Sequence, residues 1–477
     1  MEPHELLPQL PKVDRLLTRA DMVPLVERFG RWQVRHWIRQ ALDECRSGLR
    51  NPAQESAGVT PSDWVVERIR QLAEQECRST MQEVVNATGV ILHTNLGRAP
   101  LADRAIRRMV SAAASTNLEL DLTSGKRGQR GARVQRLLCE LTGAEASLVV
   151  NNCAAATLLV LHVIACQREV VISRGQLIEI GGKFRLPEVF QSAGAILREV
   201  GTTNRTYVHD YRHAIGEQTA AVMRVHHSNF AQLGFTTEPT IAELASGLQL
   251  PPSVPLIDDV GSGLVHRLPH LLPGEPVVQD SIAAGADLVL FSGDKLFGGP
   301  QAGLIVGRAG WVDRLARHPW MRTMRVDKLT LAALEATLEL HLSAALDDIP
   351  VFRMLTRSSQ ELQQRAHSLH ETLLRAFTAA VGGSDRCTPQ ADRGQITVVP
   401  VTSEVGGGAA PAVSLPSHAV ALRVQHPERV TRSLRCGQPP ILARCEHDRV
   451  LLDVRTVEDA QIDAVARRVA SCLVATT

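Results

Sequence analysis

An α/β fold built on a mainly parallel sheet, preceded by a helical region and followed by a small α+β region, is what this sequence predicts. Three observations predict it. Short apolar runs alternate with helical stretches between about residues 81 and 330, the pattern of strands joined by crossover helices. Residues 1–80 carry helical periodicity and no strand signal. Residues 331–477 open on helices and close on short strands around a glycine-rich loop.

The first region contains ADMVPLVERFGRWQVRHWIRQALDECRSGL, whose apolar spacing is helical, then a polar break at NPAQESAGVTPSD and another helix. Arg28, Arg31, Arg35 and Arg39 recur at helical spacing, with Trp32 and Trp37 among them. Such a stripe suits either a phosphate backbone or plain solvent. The central region supplies the runs ASLVV, EVVIS, GAILREV, AAVMRVH, VPLIDDV, ADLVLFS and AGLIVG. A long helix near 327–347 leads to a second at about 358–380, then the loop VGGGAAP, with strands at ITVVPV, HAVALRV and RVLLDVRT.

Composition narrows the function classes. A chain of 477 residues exceeds one ordinary core. The formal charge of +2 makes no global basic field, so a nucleic-acid site would have to be local. The nine cysteines form no CxxC pair, so neither a zinc site nor a disulfide framework is expected, and a reducing cytoplasm is the expected home. The opening MEPHELLPQLPKVD does not read as a targeting peptide, and no apolar run is long enough to span a membrane.

The chemistry is expected around ADLVLFSGDKLFGGPQAGLIVG, where a strand ends in Ser292-Gly293-Asp294-Lys295 before a glycine turn. A lysine beside a turn is ordinarily a solvated one. Desolvated in a cleft, it loses its proton more easily and forms a Schiff base. Upstream, PLIDDVGSG ends a strand on two carboxylates, Asp258 and Asp259. A carboxylate there could hold a pyridine nitrogen protonated, and Asp259, leading into the turn, is preferred, with Asp258 the alternative. In VVNNCAAATLLVLHVI, a strand, a polar turn and a helix follow one another. Asn151, Asn152, Cys153 and Ala154 would there aim free amides at an anion. The order of phosphate cup, aspartate and lysine points to pyridoxal phosphate (PLP).

With these motifs, the segments NATGVILHTNLGRAPL, GKRGQRGARV, ISRGQLIEIGGKFRLPEVF, VGTTNRTYVHDY, MRTMRVDKLTLAALEATL and LPSHAVAL resemble the bacterial selenocysteine synthases, the L-seryl-tRNA(Sec) selenium transferases. The resemblance runs from about residue 80 to the end, and the helical region fits that family's tRNA-binding extension. It implies a PLP-dependent transferase of fold type I, with a mainly parallel seven-stranded sheet, and a homo-oligomer built from dimers, a decamer. It implies β-replacement on serine esterified to tRNA(Sec), with selenium from selenophosphate. Lys295 would carry PLP and move the α-proton, and Asp294 would be an active-site acid. Ser292 would meet the cofactor phosphate, and Asn229 its phenolic oxygen, although the family often has threonine where this chain has His227. Arg98, Arg322 and Arg325 would bind the selenium-donor anion, the last two on one helix face if that stretch is helical. Lys126, Arg127, Arg130 and Arg133 form a second basic loop, suited to the cofactor phosphate, tRNA or a neighbouring subunit.

Two other readings compete. A PLP enzyme acting on a free amino acid needs an arginine for the substrate carboxylate, and Arg444 and Arg455 are candidates. A tRNA-binding scaffold with a vestigial PLP site is disfavoured by the intact Lys, Asp and Ser set.

Overall fold

The computed structural model describes residues 10–49, 60–77, 81–381 and 395–476. Residues 51–59 of the expected polar break lie outside the described residues. The chain divides into two compact units, Met1–Glu83 and Val84–Thr477.

The first unit is helical, as its periodicity predicts. Helices Val13–Leu17, Val23–Leu49 and Pro61–Cys77 bury Leu16, Val34, Trp37, Ile38 and Leu42 against Val65, Ile69 and Leu72. Gly30, at φ +82°, breaks the long helix, a conformation that costs a residue without Cβ little.

Strands of the second unit, in chain order, are β1 (Val85–Ala87), β2 (Ala146–Val150), β3 (Glu169–Ser173), β4 (Glu179–Ile180), β5 (Phe184–Arg185), β6 (Ile196–Val200), β7 (Thr219–Val225), β8 (Leu256–Gly261), β9 (Leu288–Ser292), β10 (Gly303–Gly307), β11 (Ile396–Glu404), β12 (Ser414–Arg423), β13 (Ile441–Glu446) and β14 (Arg449–Asp453). All seven apolar runs of the central region become strands of one sheet, in the order β2-β10-β9-β8-β7-β3-β6. Only β10 is antiparallel to its neighbours. Leu256–Val260 and Leu288–Ser292 are buried throughout, because helices cover both faces of such a sheet. One face packs on the helix Cys153–Ala165 through Ile257, Leu290 and Ile305. The other packs Leu256, Val260, Phe291 and Leu304 against Leu334 and Leu338 of the helix Lys328–Leu342.

A second sheet, β1-β13-β14-β12-β11, carries the C-terminal core with the helices Ser359–Val381 and Ile462–Thr476. Its edge strand β1 pairs in parallel with β13. The segment expected to open the central region therefore completes the C-terminal sheet. Neither β1 nor β13 stood out as a strand in the sequence, each being short or half polar.

Candidate active site

The site lies where the strands of the large sheet end. β7, β8 and β9 are adjacent and parallel, so their carboxyl ends open on one edge, the usual ligand edge of such sheets. β2 reaches the same edge. Gly303 of β10 pairs with Val150 on one side and Ser292 on the other, and a Cβ on Gly303 would stand 2.1 Å from the Asn152 carbonyl oxygen. Four strand ends thus deliver Asn152 and Cys153, Ser228, Asp259, and Ser292 with Lys295.

Side-chain alternation along β8 separates the two aspartates. Asp258 turns to the face that holds Leu256 and Val260. There it accepts from Arg224 Nη1 at 3.2 Å and from Ser281 Oγ at 2.6 Å, so its charge is already matched. Asp259 turns to the opposite face, under the helix Cys153–Ala165. It accepts from Thr157 Oγ1 at 2.9 Å and, more weakly, from Cys153 Sγ at 3.6 Å. Burial pushes its carboxyl up to about 6, against the opposing effects of those two hydrogen bonds and of the Lys295 charge. Burial, with the neighbouring Asp259 charge, likewise holds the Cys153 thiol well above its usual range. It remains protonated and able to donate.

Lys295 is buried. Its amine has no hydrogen-bond or ion-pair partner among the described residues. The amides of Cys153 and Ala154 open the helix and have no carbonyl partner within it. The Asn152 side chain caps the turn by accepting from the Ala155 amide at 2.8 Å. An unpartnered lysine amine, a buried carboxyl near it and a helix N-terminus with free amides are the groups PLP needs for its aldehyde, ring nitrogen and phosphate. These residues fit that cofactor. Among the described residues, no cluster of side chains suits a metal ion.

The L-seryl-tRNA selenium transferase family profile matches residues 84–458, and that of the selenocysteine synthase N terminal region matches residues 9–46. The chain belongs to the L-seryl-tRNA selenium transferase family. Relatives so named include proteins of Geobacter sulfurreducens, 44% identical over 96% of this chain and 97% of the relative, and of Carboxydothermus hydrogenoformans, 43% identical over 97% of each. A solved D-glucosaminate-6-phosphate ammonia-lyase shares the fold, with a TM-score of 0.56 and 21% identity over 84% of this chain and 97% of that one. The second unit thus shares its α/β fold with that lyase, and PLP is the cofactor of the family.

The other residues singled out from the sequence are distributed unevenly. Ser292 ends β9 beside the Cys153 thiol. Asp294 is not a free acid: its carboxylate is 2.7 Å from Arg98 Nη1. Arg98 itself sits at φ +64° on the Thr94–Gly97 turn. Asn229 is exposed, and its side chain donates to the Glu179 carbonyl at 2.7 Å. The structure thus does not aim it at the Lys295 cluster. Its neighbour Ser228 is buried there instead: Ser228 Oγ and Lys295 Nζ both border Gly408. Arg322 and Arg325 do not share a helix face, because the helix Trp320–Met324 ends first and Arg325 is extended. That stretch does touch the site, since the Met324 carbonyl accepts from the Asn151 amide at 2.9 Å.

In the basic loop, Arg127 and Arg130 pair with Glu119, while Arg133 pairs with Glu335 and Glu339. Arg444 and Arg455 are not available to a substrate carboxylate. Arg455 is buried, donating to the Met354 and Pro416 carbonyls, and Arg444 is held by Glu446 and the Thr402 carbonyl. Sequence reasoning missed Thr157 and Ser228. The first carried a signal, one helical turn beyond Cys153 on the same face.

In the first unit, Arg28, Arg31, Arg35 and Arg39 are exposed and have no ion-pair partner among the described residues. Gly30 separates Arg28 from the other three, which follow one another at i,i+4 spacing on unbroken helix. The two tryptophans part company: Trp37 is core, whereas Trp32 is 78% exposed and stacks on His36.

Proposed function

We propose that this chain converts seryl-tRNA(Sec) to selenocysteinyl-tRNA(Sec), with PLP as cofactor and selenophosphate as selenium donor. The observation that carries the reading is the buried, unpartnered Lys295 amine on the same side of the sheet as the Asp259 carboxyl. Bound there, PLP supplies an electron sink for the charge left when the seryl Cα gives up its proton. Lys295 holds the cofactor and then moves that proton at Cα. Asp259 holds a proton on the ring nitrogen, and Thr157 and Cys153 fix the carboxylate for that task. The Cys153 and Ala154 amides and the Ser292 hydroxyl receive the phosphate. Arg98, oriented by Asp294, and Arg322 and Arg325 receive the donor anion, for which planar, multidentate guanidinium is suited.

A seryl ester has no free carboxylate, so this reaction needs no carboxylate-binding arginine. The engagement of Arg444 and Arg455 in structural contacts supports it over action on a free amino acid. Arg31, Arg35 and Arg39, unpaired and in register, support tRNA binding by the N-terminal helical domain (residues 1–80, within the compact unit ending at Glu83). Within the second unit, the seven-stranded sheet with the helix Lys328–Leu342 packed on it forms the cofactor domain, and the sheet β1-β13-β14-β12-β11 with its helices forms the small domain. Ile106 and Val110, one turn apart and exposed on the helix Asp103–Ala113, are suited to a partner subunit, as are the exposed Leu120 and Leu122. They support a homo-oligomer built on dimers, as a decamer is. The absence of a helix long and apolar enough to cross a membrane among the described residues accords with a cytoplasmic enzyme.

The test is to incubate the purified protein with PLP, seryl-tRNA(Sec) and selenophosphate, then identify the aminoacyl group released from the tRNA. Selenocysteine is the expected product. Serine alone, with turnover of free serine or cysteine in its place, would give the reaction to the competing class.

A further inference from the structure

The glycine-rich loop of the C-terminal region is a sequence motif that the chemistry above leaves unused. It returns to the site. Leu92 N donates to the Val405 carbonyl at 2.8 Å, laying the loop along the segment that leads to Arg98. Gly406, Gly407 and Gly408 all have positive φ, at +74°, +63° and +79°, where side chains are strained. Space forbids them as well. A Cβ on Gly406 would stand 2.5 Å from Val90 Cγ1, and one on Gly407 2.6 Å from the Leu92 carbonyl oxygen. At Gly408 the would-be neighbours are reactive: Lys295 Nζ at 3.4 Å and Ser228 Oγ at 3.8 Å. The loop therefore passes over the amine that moves the proton, with a side chain missing at the closest point.

One side chain pins the far end of this loop. Glu275 Oε2 accepts from the Ala410 amide at 2.9 Å. Glu275 is almost completely buried, and His226 Nε2 stands 3.5 Å from the same carboxylate. The His226 amide in turn donates to the Asp259 carbonyl at 2.9 Å. Glu275 and His226 thus link the strand end that carries Asp259 to the loop that covers Lys295. A buried carboxylate is costly to keep, and its contacts here are the loop amide, the Ser262 hydroxyl and that imidazole.

We propose that the Val405–Ala410 loop is the wall of the aminoacyl pocket over Lys295, and that Glu275 is the positioning residue that holds it there. The reacting Cα must come within about 3.5 Å of the Lys295 amine. The absent side chain at Gly408 leaves that approach open, and the fixed loop sets its direction. The inference rests on the reading of Lys295 as the base acting on an aminoacyl ester.

Glu275→Ala and Glu275→Gln in the full-length holoenzyme test it, glutamine retaining an acceptor for the Ala410 amide. Three quantities are read: hydrogen exchange of the peptide containing Ala410, PLP affinity by absorbance titration, and kcat and KM for seryl-tRNA. In Glu275→Ala, loop exchange should rise about tenfold to a hundredfold, the loss of a hydrogen bond to a charged acceptor. Peptides of β8 and β9 should not change. PLP affinity and KM should hold while kcat falls by about tenfold or more, and Glu275→Gln should restore both exchange and kcat. Unchanged loop exchange in Glu275→Ala overturns the proposal. So does faster exchange with full kcat, or an equal fall in PLP affinity that glutamine does not rescue. The exchange measurement needs no turnover, so a wild type silent on seryl-tRNA would sink the functional reading separately.

Discussion

Replacing Asp259 by asparagine in the cofactor-free protein gives a signed, pH-dependent result. Burial raises the Asp259 carboxyl from 3.8 to about 6. Between those values the folded state binds a proton that the unfolded state has released. Stability therefore falls as pH rises through that window. The penalty is absent below about pH 4 and complete above about pH 6, and the shift of roughly two pH units corresponds to ~3 kcal/mol. Asparagine cannot ionise. The stability difference between Asp259→Asn and wild type should thus be small near pH 4 and grow in favour of the variant to ~3 kcal/mol by pH 7. Every other titrating group is common to both proteins and cancels. Urea unfolding of the two apo-proteins at intervals from pH 4 to pH 7 reads the difference directly. Saturating PLP should oppose the trend, since a protonated ring nitrogen gives the carboxylate its partner. A difference that does not vary with pH would refute the reasoning, and the same slope in Asp258→Asn with none in Asp259→Asn would mean that the wrong carboxyl was assigned.

Lys295→Ala should lose the visible absorbance of bound PLP and all turnover while keeping the fold, and borohydride reduction of the wild type should mark Lys295; a pyridoxyl group on another lysine would contradict the assignment. Thr157→Val, which removes the 2.9 Å hydrogen bond to Asp259, should weaken PLP binding by about three- to tenfold, read by absorbance titration; unchanged affinity would deny Thr157 its positioning role. Deleting residues 1–83 should weaken tRNA binding and leave the PLP spectrum intact, and the joint change of Arg31, Arg35 and Arg39 to glutamine should lower the salt dependence of tRNA binding by roughly one unit of slope per lost contact. Equal slopes would show the stripe to be a solvated face. Arg98→Gln, Arg322→Gln and Arg325→Gln should each spare tRNA binding and impair selenium transfer, and loss of tRNA affinity in any of them would move that residue to the tRNA site.

By itself the sequence determined the sheet, because strands buried on both faces are mainly apolar, and six such runs stand out, with a seventh, ILREV, at the exposed edge. It also singled out Lys295, through the order of phosphate cup, aspartate and lysine along the chain and not through the lysine alone. It narrowed the ring-nitrogen partner to two adjacent carboxyls and could go no further: alternation sends them to opposite faces, but only the packing shows which face holds Cys153, Thr157 and Lys295. Tertiary structure likewise decided Arg98 and Asp294, 196 residues apart and joined in one ion pair, and it replaced Asn229 by Ser228 in the site. β1 could not be read locally, because its three residues are a strand only through β13, far along the chain. The glycine-rich loop was visible as a string and silent as to purpose. Its meaning comes from lying against the Lys295 amine, a contact between segments more than a hundred residues apart that no local pattern encodes.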